Sequence, residues 1–146
     1  MAGTFRQMGC LAACLCLLTA LTSGADKKQD RKARLKSIET VLVNGDGPVA
    51  SHVGKNLTNE SCLKRMFSEH GADAELVVWQ QTRPCEWPLN KLCVEVNARL
   101  IDRETGKLLW SVADRDFGSR VVVGVDEAAA KWVIWHLNDA CCKGRK

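Results

Sequence analysis

The amino-acid sequence predicts an α/β (α+β) domain built as a two-layer sandwich, in which a mostly antiparallel sheet carries two helices on one face. Three patterns support this prediction. Residues 92–100 alternate apolar and polar side chains, which is typical of a strand with one buried face and one solvent-exposed (wet) face. A tight turn at residues 102–106 joins that strand to another, and residues 126–140 repeat apolar side chains at helical spacing. The predicted element order is β-α-β-β-β-α.

The first half of the domain predicts a strand, a helix and a second strand. Residues 35–43 contain a β-branched run that ends at the turn residues 44–48, which indicates a strand. A helix is predicted between residues 49 and 70, with Gly71 just beyond its C-terminus. The best-defined apolar face of that helix comprises Cys62, Leu63, Met66 and Phe67. Residues 74–81 predict the second strand.

The second half predicts a hairpin and a closing helix. Two prolines favour a loop over residues 82–90, before the alternating strand. Gly106 suits the positive-φ position of the turn into a strand over residues 107–114. Residues 120–124 fit either an edge strand or an extended connector. The final helix is predicted to start with Asp126 as its N-cap, and its apolar face comprises Ala129, Trp132, Val133, His136, Leu137 and Ala140.

The N-terminal segment predicts export. An apolar run over residues 8–21 follows Arg6 and is shorter than the roughly 20 residues that span a membrane, which is typical of a signal peptide. Ser23 and Ala25 fit the small-residue cleavage pattern, so we predict cleavage after Ala25. Two alternatives stay open: an uncleaved membrane anchor, and acylation of Cys14 in the lipobox-like residues 11–14.

Positive charge is concentrated just after this segment. Residues 26–36 hold six basic and two acidic side chains, whereas residues 37–146 hold 14 basic and 15 acidic ones. A nearly neutral domain argues against nucleic-acid binding, which needs a basic face. We therefore predict a signal peptide (1–25), a basic linker (26–36), one domain (37–142) and a short tail (143–146), with membrane contact only through an N-terminal anchor.

Five cysteines follow the predicted cleavage site, and an exported protein favours their oxidation. Cys85 and Cys93 flank a seven-residue loop that a disulfide would close. Cys62 with Cys141 or Cys142 would bridge the two helices. An odd number leaves a spare thiol, and the pairing cannot be deduced from the sequence.

The sequence predicts no catalytic, cofactor or metal site. The cysteines with His70 or His136 lack the ligand spacing of zinc sites, and no nucleophile motif accompanies His136, which we expect to pack beside Trp132. Asp102 and Glu104 lie in a turn, where Asp commonly caps its own backbone. One alternative stays open: a metal-binding or ligand-binding protein, or a small enzyme, built around the cysteines and His136.

Tryptophan is abundant, with five residues and no tyrosine. Trp87, in the proline-bounded loop, and Trp135, off the main helical face, are candidate partner-binding residues because exposed tryptophan is typical of protein interfaces. Asn56 and Asn59 begin N-x-S/T sequons. In a eukaryotic secretory pathway these would carry glycans, so a secreted glycoprotein is a further alternative.

Residues 94–111, Val-Glu-Val-Asn-Ala-Arg-Leu-Ile-Asp-Arg-Glu-Thr-Gly-Lys-Leu-Leu-Trp-Ser, resemble a hairpin of bacterial envelope proteins. That family includes the curli secretion lipoprotein, the lipoprotein activators of penicillin-binding proteins and the N-terminal domain of the Tol-system propeller protein. Gly71, Ala72 and Asp73 are similar to the entry into its second strand. The resemblance implies a non-enzymatic exported scaffold or partner-binding domain. It does not imply that this chain forms a pore, and it does not identify a particular partner.

These observations lead to one main hypothesis about function. We expect a non-enzymatic protein-binding or assembly module of the bacterial cell envelope, periplasmic or associated with the outer membrane, that needs no cofactor. A protein partner would contact the wet face of the sheet or the loop that contains Trp87.

Overall fold

The computed structural model describes residues 27–85, 92–118 and 124–145. The predicted signal peptide with Cys14 and Ala25, the loop residue Trp87 and residues 120–123 lie outside the described residues. The chain divides into two units, Met1–Ala33 and Arg34–Lys146. In the first unit, residues 27–33 are helical and exposed.

A five-stranded mixed sheet forms the centre of the second unit. Its strands are β1 (Thr40–Asn44), β2 (Lys64–Met66), β3 (Ala74–Pro84), β4 (Leu92–Asp102) and β5 (Leu108–Phe117). They lie in the order β2-β1-β3-β4-β5. The long strands β3, β4 and β5 pair antiparallel, whereas the short strand β1 pairs parallel with both of its neighbours.

Helices cover one face of this sheet. These helices are α2 (Pro48–Glu60) and α3 (Val125–Cys141). A further helix, α1 (residues 27–37), precedes β1 in the chain. The apolar positions of β4 were predicted to face the core. From Val94 to Leu100 these alternating side chains are buried, and they pack against α2 and α3. The predicted two-layer sandwich is confirmed, and burial of these alternating positions against the helices contributes to its stability.

The prediction that the first helix extends towards His70 is wrong. The helix ends at Glu60, and residues 64–66 form β2 instead. Apolar residues at helical spacing misled the prediction: Leu63 enters the core, whereas Phe67 is 83% exposed. The hydroxyl of Ser61 accepts a hydrogen bond from the Leu63 amide at 3.1 Å, which offers the chain a local alternative to another helical turn.

Other boundaries also differ from the predictions. The first strand starts at Thr40, because residues 35–37 complete α1. Gly71 does not end a helix, and its positive φ of 90° lies in the turn before β3. The predicted loop after residue 81 begins later, because β3 continues to Pro84 in register with β4. Gly106 has a φ of 67° in the β4–β5 turn, as predicted.

Gln80 of β3 ties the N-termini of both covering helices to the sheet. Its Oε1 accepts a hydrogen bond from the Val49 amide in the first turn of α2 at 2.7 Å. Its Nε2 donates to Asp126 Oδ1 in the first turn of α3 at 3.3 Å. The prediction that Asp126 is the N-cap of α3 is wrong, because Gly124 occupies that position with a φ of 70° and Asp126 lies in the first turn.

We expect Gln80→Ala to lower the free energy of unfolding by about 1–2 kcal/mol, because the Val49 amide loses its partner at a helix N-terminus. Urea denaturation measures this change. Gln81→Ala, at the next and exposed position, is the matched control and should cost less than about 0.5 kcal/mol. Equal losses in the two variants would contradict the capping role of Gln80.

Asp73 fixes the start of β1. Its Oδ2 accepts hydrogen bonds from the amides of Glu39 and Thr40 and from the Thr40 hydroxyl, all at 2.9 Å. Burial alone would raise the pKa of this carboxyl, but the hydrogen bonds from Glu39 and Thr40 outweigh it and hold the pKa below its ordinary value. Asp73 therefore joins β1 to the segment that enters β3.

Asp102 ends β4 and makes an ion pair with Arg34. The carboxylate is 2% exposed, and it accepts hydrogen bonds from Arg34 Nε at 2.9 Å and Arg34 Nη2 at 3.0 Å. It also accepts one from the Glu104 amide at 3.0 Å. The Arg34 hydrogen bond lowers the pKa of Asp102 to about 2, against the effect of burial. Arg34, which was assigned to the basic linker, thus has a structural role.

Candidate partner-binding surfaces

The cysteines that were candidates for disulfides lie at two places in the fold. Cys62, just after α2, is joined to Cys142, just after α3, with their Cα atoms 5.8 Å apart. Cys85 is joined to Cys93 across β3 and β4, with their Cα atoms 4.9 Å apart. Cys141 is a buried thiol, and burial raises its pKa to about 11. At neutral pH this thiol stays protonated and unreactive.

The candidate residue Trp135 lies in a continuous row of rings that we call the aromatic strip: Phe117, Trp132, His136 and Trp135. The rings of Phe117 and Trp132 have centroids 5.7 Å apart. His136 packs edge-on against both tryptophans, with centroids 4.7 Å from Trp132 and 4.6 Å from Trp135. Edge-to-face contacts of this kind favour fixed ring orientations. Phe117 and Trp132 pack against the core and His136 is half-buried, so the strip holds the exposed Trp135 ring beside partly buried ones.

The helical spacing of α3 explains why Trp135 faces outward. The fully buried side of the helix contains Ala129, Ala130, Val133, Leu137 and Cys141. This side is rotated from the predicted apolar face, of which Trp132, His136 and Ala140 are only half-buried. Trp135 lies between the exposed charges Lys131 and Asp139, one turn away on either side, and is 63% exposed.

His136 has the surroundings of a packed side chain. Its described contacts are with the two tryptophan rings, and they include no carboxylate, hydroxyl or thiol. Across residues 27–85, 92–118 and 124–145, no group of three or more His, Cys, Asp or Glu side chains could hold a metal ion. The His136 ring therefore lies between the two indole rings.

The outer face of the sheet, which we call the open face, lies opposite α2 and α3. It is the wet face that alternation predicted, and it carries Glu75, Val77 and Trp79 from β3 with Arg99 and Ile101 from β4. The Arg99 guanidinium lies over the Trp79 ring, 5.0 Å from its centroid. This cation–π contact holds a positive charge in place at the surface.

Sequence reasoning placed Arg99 on the wet face but missed its partner. The alternation in each strand gives the face of each residue, but the register between β3 and β4 decides which side chains meet. Phe117 was missed for a similar reason, because its contact with Trp132 joins a strand to a helix. No local pattern in the sequence could have identified either contact.

Among the described helices, none combines the length and the apolar character needed to cross a bilayer.

Both asparagines of the N-x-S/T sequons lie on α2, where Asn59 is exposed and Asn56 is half-buried.

Comparisons with known proteins add likenesses of fold. No protein-family model matches the chain, and no curated protein matches it. The PelC dodecamer of Paraburkholderia phytofirmans is 16% identical with a TM-score of 0.47, over 70% of this chain and 89% of that one. A candidate lipoprotein of Caulobacter crescentus is 16% identical with a TM-score of 0.41, over 75% and 93% of the two chains. Lipoprotein GNA1162 of Neisseria meningitidis is 14% identical with a TM-score of 0.41, over 70% and 99%.

Values this low say nothing about function. The resemblance of the β4–β5 hairpin to the envelope family therefore stays a prediction. Its characteristic residues have structural roles here, since Asp73 fixes β1 and Asp102 pairs with Arg34.

Proposed function

We propose that this chain is an exported, non-enzymatic protein-binding module of the bacterial cell envelope, and that its partner contacts the aromatic strip. Export rests on the N-terminal apolar run and on cysteine use. Two disulfides among the described residues are typical of an oxidising compartment. The envelope assignment rests on the resemblance of the hairpin.

The observation that carries the proposal is the exposure of Trp135 within a fixed row of rings. A single exposed apolar residue is ordinary on a protein surface, but the Trp135 ring is backed by the half-buried rings of His136 and Trp132. A tryptophan held by packed neighbours loses little side-chain entropy on binding, which is why such residues dominate interface energies. The charges of Lys131 and Asp139 would then form part of a polar rim.

The partner that fits this surface is a protein with an apolar side chain or a shallow apolar pocket for the Trp135 indole. Catalysis is not part of the proposal. His136, the candidate base, is flanked by rings, and the free thiol of Cys141 is buried within the core. The Cys141 thiol could not reach a substrate at the surface without rearrangement of the core, and the described contacts of His136 include no group that would orient it as a base.

Cross-linking in the cells that produce the protein tests the proposal. We expect a photoreactive benzoylphenylalanine at position 135 to give one dominant adduct of defined mass, because a specific partner would lie against the indole. The same probe at Lys107, exposed in the β4–β5 turn, is the matched control. Absence of an adduct at 135, or identical adducts at 135 and 107, would contradict the proposal.

A further inference from the structure

Four residues at the centre of the open face have a self-complementary arrangement. Glu75 of β3 lies opposite Ile101 of β4, and Val77 lies opposite Arg99, two positions along the same antiparallel pair. Glu75 and Arg99 therefore occupy one diagonal of a four-residue rectangle, and Val77 and Ile101 occupy the other. All four side chains point away from the helices.

The two charges on this diagonal are not paired with each other. The Glu75 carboxylate accepts a hydrogen bond from the neutral Asn44 side chain at 2.9 Å. Arg99 contacts the Trp79 ring, which leaves its guanidinium edge free of a carboxylate among the described residues. Each charge is thus held in place by a neutral neighbour and remains available to an external group of opposite sign.

Apolar side chains extend from this rectangle across the sheet. The row that contains Glu75 and Ile101 runs through all five strands, with Met66 and Leu42 on one side and Leu108 on the other. Leu42, Met66 and Ile101 are half-buried, and Leu108 is exposed. A partner sheet laid on this face would bury these side chains around the charged diagonal.

We propose that the open face binds a second copy of this chain in a two-fold symmetric dimer. A two-fold axis that lies in the interface and crosses the midpoint between Glu75 and Arg99 brings Arg99 of each copy against Glu75 of the other. The same axis runs close to Val77 and Ile101, so these apolar side chains meet their own symmetry mates. An isologous interface requires such self-complementarity, and a pair of opposite charges flanking an apolar centre provides it.

This dimer goes beyond the proposed function, and the two can fail independently. The open face and α3 lie on opposite sides of the sheet, so a dimer through one leaves the aromatic strip exposed. Trp135→Ala should therefore leave the dimer mass unchanged.

Charge reversal with analytical ultracentrifugation of the exported chain tests the dimer. Wild type should sediment as a dimer in a concentration-dependent manner. Glu75→Arg and Arg99→Glu should each raise the dimer dissociation constant at least about tenfold, because each creates two like-charge contacts. An equimolar mixture of the two variants should recover the dimer, since all contacts across a heterodimer are then attractive.

Lys55→Glu on the exposed side of α2 is the control and should keep the wild-type dimer. Thermal unfolding of each variant identifies any that fails to fold, and recovery in the mixture requires that both are folded. A wild type that stays monomeric up to about 1 mM would overturn the proposal. Single variants that retain wild-type dimerisation, or a mixture that does not recover it, would overturn it as well.

Discussion

Arg34→Ala is expected to lower the free energy of unfolding by about 2–3 kcal/mol at neutral pH, because it leaves the Asp102 carboxylate buried without its cation. Asp102 is 2% exposed and receives two hydrogen bonds from Arg34. Since the Arg34 side chain is itself 33% exposed, water can partly replace it, which keeps the loss below the roughly 3–5 kcal/mol typical of fully buried ion pairs. Urea denaturation measures the change.

Arg31→Ala is the matched control, because Arg31 is an exposed basic residue of the same helix. Its replacement should change the free energy of unfolding by less than about 0.5 kcal/mol. Similar effects of the two substitutions would show that Arg34 is merely one charge of a basic segment.

The same ion pair predicts how stability depends on pH. The pKa of Asp102 is lowered from 3.8 to about 2 by folding, so the folded chain binds this proton less readily than the unfolded one. The stabilisation is complete above pH 3.8 and is lost as the pH falls through 2. Across that window the free energy of unfolding should fall by about 2 kcal/mol more in wild type than in Arg34→Ala.

Removal of the Cys62–Cys142 disulfide should have the largest effect on stability. The bond closes a loop over a sequence separation of 80, and the chain-entropy model gives a loss of about 4.5 kcal/mol for a loop of that size. Replacing both cysteines by alanine leaves Cys141 as the free thiol near this site, and its raised pKa of about 11 limits exchange. Denaturant unfolding under non-reducing conditions measures the loss.

The Cys85–Cys93 disulfide provides the comparison, because its sequence separation is 8. Double replacement by alanine there should cost about 2–3 kcal/mol in the same model. A larger loss from the short loop than from the long one would contradict the entropic explanation and would indicate that packing around Cys85 and Cys93 dominates.

The sequence was most informative where local patterns coincide with tertiary environment. β4 and the β4–β5 turn could be predicted because alternation and Gly106 express burial and backbone geometry directly. The end of α2 could not, because the apolar spacing around Leu63 and Phe67 fits a helix equally well. Only pairing with β1 decides in favour of the strand β2.

Long-range side-chain contacts were beyond local patterns. Gln80 contacts residues 31 and 46 positions away, and Arg34 and Asp102 are 68 positions apart. The outward position of Trp135 follows from helical periodicity alone. The aromatic strip does not, because Phe117 joins it from β5 through tertiary packing.

The most direct test of protein binding through the aromatic strip uses the partner that cross-linking identifies, purified separately. Calorimetry then measures its affinity for wild type and for Trp135→Ala. We predict that Trp135→Ala raises the dissociation constant at least about 30-fold, because a central tryptophan typically contributes about 2 kcal/mol or more. Lys131→Ala, one turn away, should raise it less than about fivefold, as expected at a polar rim. Equal affinities of wild type and Trp135→Ala would contradict the assignment of the strip as the binding surface.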